Sequence, residues 1–203
     1  MGKYDKALYR YLSVPRRFAD LFNAGCFGGA KMMSAEMLEE AAERSRSNDG
    51  ADQFRDIKKR LKNGTKLIIA AIENQENVDF EMPCRIMQYD SSEYAEQIRQ
   101  IHREKELHRR EKGLKRSRYA EKMTKPDRLF PVYTVCFYHG SKPWDGPKSL
   151  RDMMDFDESS IEGYNGAWSS LFQDYGMIFI SALDKLIYSK FSQLRKIFDV
   201  CDK

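Results

Sequence analysis

The stretch Phe54–Gln75, FRDIKKRLKNGTKLIIAAIENQ, decides the fold. An Asn-Gly pair, Asn63-Gly64, lies between two strand-like runs, the strongest short-range signal for a β-hairpin. With Asn63 and Gly64 as the two central turn residues, Lys62 stands opposite Thr65 and Ile57 opposite Ala70. Period-two alternation then places Ile57, Leu61, Ile68, Ala70 and Ile72 on one side of the hairpin, and Asp56, Glu73 and Gln75 on the other. Asp56 faces Ala71 in this register, with Glu73 as its diagonal neighbour. Diagonal pairs lie roughly 7–8 Å apart at Cα, close enough for two carboxylates to converge on one cation. The run LIIAAI is apolar on both faces, as expected of a strand inside a sheet.

Outward from the hairpin, residues Asp5 to Ala24 carry apolar positions at helical spacing interrupted at Val14-Pro15, which predicts two short helices. Ser34 is placed to cap a short helix through Glu39-Glu40, and Ser45 to Asp52 reads as a polar surface loop. After the hairpin, Pro83 suits the first turn of a long helix patterned by Arg85, Ile86, Tyr89, Tyr94, Ile98 and Ile101. LFPVYTVCFYH, from Leu129 to His139, is β-branched and aromatic and predicts another strand, ended by Gly140 and the turn-like segment Lys142 to Pro147. Met177 to Leu183 predicts a last strand, and Ser189 to Val200 a last helix. Helix, hairpin, helix and strand make an α/β sheet with helices on its faces, in one domain spanning residues 1–203.

Bulk composition narrows the function. The chain has twelve Phe and eleven Tyr, too aromatic for intrinsic disorder. No apolar stretch reaches bilayer-spanning length and the opening MGKYDKALYRY is no signal peptide, which together point to a cytoplasmic protein without a membrane partner. Four scattered cysteines offer neither a disulfide framework nor a zinc site. Net charge is only +4, yet the segment from Arg99 to Arg128 holds twelve basic residues against five acids, a local surplus of +7. Such a run is either a solvated helical or flexible insertion or a phosphate-binding surface, in which Arg109, Arg110, Lys115 and Arg116 would contact DNA.

Phosphodiester hydrolysis needs an activated water and a place for negative charge, and a hard divalent cation held by carboxylates supplies both. Asp56 and Glu73 are the candidate metal ligands and Gln75 the candidate water-orienting group. The competing interpretation makes Asp56 the end of a hydrophilic edge strand and Glu73 a carboxylate at the solvent boundary. Lys58 and Arg60, on the Asp56 side, suit phosphate contacts or protection of a sheet edge; Arg85 suits a phosphate, Glu73, or a surface pair with Glu81.

Asp56, the run IIAAIENQENVDFEMPCRIMQY and the strand FPVYTVCFYHG resemble, in that order, the recombination-promoting nuclease and putative transposase family of the PD-(D/E)XK nuclease superfamily. The resemblance spans most of the chain, from YDKALYR to the FYHG strand. It implies a restriction-endonuclease-like mixed sheet with helices on both faces, and a Mg²⁺-dependent (or Mn²⁺-dependent) DNA endonuclease linked to mobile elements and recombination, with homo-oligomerisation possible. Asp56 and Glu73 match the metal-binding acids, Asp5 an acid near the family's N-terminus, and Gln75 the position of the superfamily's lysine. Gln75 cannot bring the lysine's positive charge, so the alternative is a weak or inactive relative that binds DNA or a protein through the same fold.

Overall fold

The computed structural model describes residues 3–41, 44–46, 52–54, 57–63, 66–114, 122–155 and 170–184. Helices α1 (Lys3–Leu12) and α2 (Pro15–Cys26) form where the Val14-Pro15 interruption predicts. The Ser13 N–H and hydroxyl both donate to the Tyr9 carbonyl, at 2.8 and 2.6 Å, closing α1. Pro15 begins α2 where its missing N–H leaves no helical bond unmade.

A five-stranded mixed sheet follows, in the order β1-β4-β5-β6-β7. Its strands are β1 (Leu38–Glu40), β4 (Ile57–Asn63), β5 (Lys66–Gln75), β6 (Val132–Tyr138) and β7 (Ile178–Ser181), and a separate two-stranded ribbon pairs β2 (Arg44–Arg46) with β3 (Asp52–Phe54). β4 pairs antiparallel with both β1 and β5, whereas β6 pairs parallel with β5 and β7 parallel with β6. A parallel pair needs a long crossover, and α3 (Met82–Glu111) provides most of it between β5 and β6.

The hairpin register differs from the sequence expectation by one residue on each strand: Asn63 pairs with Lys66, and Ile57 with Ile72 rather than Ala70. Asn63 belongs to the ladder instead of the turn. An even displacement preserves parity, so Ile57, Leu61, Ala70 and Ile72 still share the apolar core expected of them. Asp56 lies outside the described residues, as does the expected helix from Ser189 to Val200.

Two local expectations are corrected. The helix expected after Ser34 is a single 3-10 turn, Ala35–Met37, with no side-chain cap from Ser34, and Leu38–Glu40 is a strand. Charge complementarity across strands overrides the local helical pattern: Glu40 pairs with Lys59, whose ammonium lies 2.6 Å from Glu40 Oε1, and Leu38 pairs with Leu61. The ends of the loop expected from Ser45 to Asp52 are strand instead: Ser45 and Arg46 belong to β2 and pair with Gln53 and Asp52 of β3. β1 also covers β4, so β4 is not an edge strand.

The two sheet faces are filled differently. One is covered by α1 and α2, where Leu8, Leu12, Phe18, Leu21 and Phe22 pack on Ile57, Leu61, Ala70, Ile72, Val135, Phe137 and Ile180. At Gly25 a Cβ would stand 2.1 Å from Ile180 Cδ1, so only glycine lets α2 approach β7 this closely. The other face is covered by α3, and its apolar cluster is small: Met82, Ile86 and Cys136 are buried, with Trp144, Tyr175, Met177 and Phe179 around them. Below Ile86 the inward stripe of α3 turns acidic at Asp90 and Glu93, both buried. Each meets a polar group of the sheet: Lys58 Nζ lies 2.9 Å from Glu93 Oε2, and Thr134 Oγ1 donates to Asp90 Oδ1 at 2.6 Å while Tyr175 OH donates to Asp90 Oδ2.

α3 extends further than the sequence suggests, carrying the first half of the basic run out to Glu111. It is tied to the chain that returns toward β6, because Gln97 exchanges two hydrogen bonds with the Phe130 backbone, at 3.1 and 2.7 Å, and the Lys105 ammonium pairs with Asp127. No helix among the described residues is long and apolar enough to cross a membrane.

Candidate active site

Strand β5 enters the sheet centre as an apolar run and leaves it polar, with Glu73 and Gln75 on the α3 face by simple alternation. Glu73 is only 2% exposed although it is a carboxylate. Gln75, two residues on, is half-buried, and its carbonyl accepts the His139 N–H at 2.8 Å. The chain after β6 is pressed against this end of β5: a Cβ on Gly140 would lie 2.4 Å from the Glu76 carbonyl, which explains the glycine of FYHG.

The loop between β5 and α3 brings a cation to Glu73. Asp79 accepts the Glu81 N–H at 2.8 Å through Oδ1, turning the chain into the helix, and accepts from Arg85 Nη1 at 2.5 Å through Oδ2. Arg85 sits on the first turns of α3, and its Nη2 donates to Tyr89 OH at 3.3 Å and stands 3.8 Å from Glu73 Oε2. Burial alone would lower the Arg85 pKa, but its bonds to Tyr89 and Asp79 and the charge of Glu73 together raise it. Beside them Cys136, the cross-strand partner of Glu73, has its thiol pushed up to about 12, first by burial and then by the Glu73 carboxylate. That sulfur is an inert core atom rather than a nucleophile.

The predicted residues fare unequally. Glu73 and Gln75 share a face as expected, and Arg85 joins them, pairing with Asp79 and Glu73 rather than with Glu81 as a surface pair. Lys58 is not at the surface: it is 6% exposed with its ammonium held by Glu93, so it serves the interior and not a phosphate. Arg60 is exposed and lines a groove of about 440 Å³ with Gln97, Ile101, Arg128 and Phe130. In the basic run, Arg109 grips Glu106 with two nitrogens, at 2.8 and 2.6 Å, and Arg110 Nε donates to the same carboxylate at 2.7 Å. Lys115 and Arg116, like Asp56, lie outside the described residues.

Asp79 escaped the sequence analysis, although an aspartate just before a helix start is a legible pattern, and Tyr89 was read there only as part of the α3 pattern and not as a partner of Arg85. Among the described residues no three of His, Cys, Asp and Glu converge as a metal-holding group. Compared with known proteins, the chain matches no family model, no curated protein and no solved structure.

Proposed function

We propose that this chain is a divalent-metal-dependent nuclease with a restriction-endonuclease-like core that hydrolyses phosphodiester bonds in DNA. The observation that carries this proposal is Glu73, a carboxylate 2% exposed on the central strand of the sheet. Desolvating a carboxylate costs several kcal/mol, and a residue needed only for packing would be apolar there, as Ile72 is on the opposite face. Sites that must bind a cation are where such a cost persists.

Further support comes from what surrounds it. A mixed sheet with helices on both faces agrees with the architecture implied by the resemblance to the PD-(D/E)XK superfamily. Ile57 and Ile72 are paired, and the two proposed metal ligands flank that pair in sequence, Asp56 before Ile57 and Glu73 after Ile72. The donors offered, two carboxylates and the Gln75 amide, are hard oxygens, which suit Mg²⁺ or Mn²⁺. When bound, such an ion supplies charge stabilisation and an acidified water. Gln75 orients water by hydrogen bonding, and the basic surplus between Arg99 and Arg128 supplies sequence-independent attraction to the DNA backbone, to the extent that its cations are not taken by Glu96, Glu106 and Asp127.

The test is direct. Purified chain incubated with supercoiled plasmid should nick it in Mg²⁺ but not in EDTA, and Asp56→Ala and Glu73→Ala should each abolish nicking while keeping the native circular-dichroism spectrum. Plasmid left intact by the unmutated chain in both Mg²⁺ and Mn²⁺, but retarded in a gel, would replace the enzyme with a DNA-binding relative.

A further inference from the structure

Attack on a phosphodiester builds negative charge on the non-bridging oxygens, and a fixed cation beside them is among the larger contributions an active site makes. Gln75 is neutral and cannot serve. The cation next to Glu73 is Arg85, which reaches it from α3 rather than from β5. Its guanidinium is anchored on both sides, Nη1 by Asp79 at 2.5 Å and Nη2 by Tyr89 at 3.3 Å, yet the side chain is 36% exposed, so it retains donors for a ligand. A guanidinium held by two partners over a buried carboxylate is oriented before substrate arrives.

We propose that Arg85 is a catalytic residue that takes the charge-stabilising place Gln75 leaves empty, with Asp79 and Tyr89 as positioning residues that fix its guanidinium beside Glu73. The inference rests on the nuclease proposal and names a residue of that same site. In the step concerned, a water oxygen forms a bond to phosphorus and the bond from phosphorus to the leaving oxygen breaks, its electron pair staying on that oxygen. The attacking water loses a proton to solvent and the leaving oxygen gains one from solvent. Arg85 keeps its proton throughout and contributes hydrogen bonds to the non-bridging oxygens.

Single-turnover nicking is measured for the unmutated chain, Arg85→Ala, Arg85→Lys, Asp79→Asn and Glu73→Gln, alongside DNA affinity in EDTA and thermal unfolding. Arg85→Ala should slow nicking at least ~100-fold, change DNA affinity less than about tenfold, and recover part of the rate in millimolar guanidinium chloride. Arg85→Lys keeps the charge beside Glu73 and should unfold with the unmutated chain, yet remain slower because an ammonium lacks the planar fork. Asp79→Asn should lower the rate without weakening DNA binding. Nicking lost in Glu73→Gln but undiminished in Arg85→Ala overturns the role of Arg85 and leaves the nuclease proposal standing. So does a rate loss in Arg85→Ala that guanidinium does not restore and that Arg85→Lys repairs fully along with stability, since that is a structural counter-ion. No metal-dependent nicking by the unmutated chain overturns the nuclease proposal and this inference with it.

Discussion

The two faces of the central sheet are made from the same strands and held by opposite means. On the α1–α2 face, alternate residues of β4, β5, β6 and β7 contribute Ile57, Leu61, Ala70, Ile72, Val135, Phe137 and Ile180 to an apolar core, interrupted on β4 by the buried Lys59 that pairs with Glu40. On the α3 face the intervening residues include Lys58, Glu73 and Thr134, all buried, and α3 answers them with Glu93, Arg85 and Asp90. Apolar burial is non-directional and tolerant of small shifts, whereas a buried charge must meet a partner in one geometry. The first face therefore supplies stability, and the second fixes where α3 sits over the end of β5. That placement decides how Arg85, Asp79 and Glu73 meet.

The comparison is broken most severely by emptying the apolar face. Phe137 is fully buried among α2, β5 and β7 residues, and Phe137→Ala should cost about 4 kcal/mol in urea or thermal unfolding, the range for a buried phenylalanine whose cavity cannot collapse. A loss below about 1 kcal/mol would mean that this face is not the main source of stability.

The polar face should respond differently to one substitution and to two. Lys58→Met strands Glu93 as an uncompensated buried carboxylate and should cost about 3 kcal/mol, whereas Lys58→Met with Glu93→Leu should recover most of that or exceed the original stability. The double-mutant cycle measures the coupling between them. If the double variant is as unstable as the single, the pair contributes net stability and the contrast between the faces fails.

What the sequence disclosed follows the same division. Parity along β4 and β5 was legible because apolar alternation is local, and it survives a one-residue error in the turn, so Ile57, Leu61, Ala70, Ile72 and the facing of Glu73 all came through. The helical pattern at Ser34 to Glu40 misled because the partners that make Leu38–Glu40 a strand, Leu61, Arg60 and Lys59, stand some twenty residues away. Asp90 and Glu93 break the amphipathic pattern of α3, and only the distant Thr134 and Lys58 explain why acids face inward there. At the site, Glu73 and Gln75 were legible from their spacing on one strand, whereas the grip of Asp79 on Arg85 depends on how the β5–α3 loop turns.

The smallest effect separates the two ends of α3. Its inner turns are clamped by buried contacts to the sheet at Ile86, Asp90 and Glu93, while its outer turns depend on half-buried ion pairs around Glu106 and Asp127. Hydrogen bonds from Arg109 and then Arg110 hold the Glu106 carboxyl down at about 2, and those from Lys105 and then Thr124 hold Asp127 at about 2. A carboxyl whose folded pKa is depressed stabilises the fold fully above its unfolded pKa and loses that contribution as pH falls through the folded value. The window therefore runs downward from about pH 4.5 for Glu106, and about 3.8 for Asp127, to about 2. Over it, amide protection corrected for intrinsic exchange should fall for residues around Lys105 to Glu111 before it falls for those around Ile86 to Glu93. Because these pairs still reach solvent, about 1 M salt at neutral pH should reproduce part of the loss, and Glu106→Gln should make the outer turns insensitive to pH around Arg109 and Arg110. Uniform loss of protection along the whole helix would show instead that α3 opens as one unit, with the outer pairs and the buried acids sharing a single cooperative contact with the sheet.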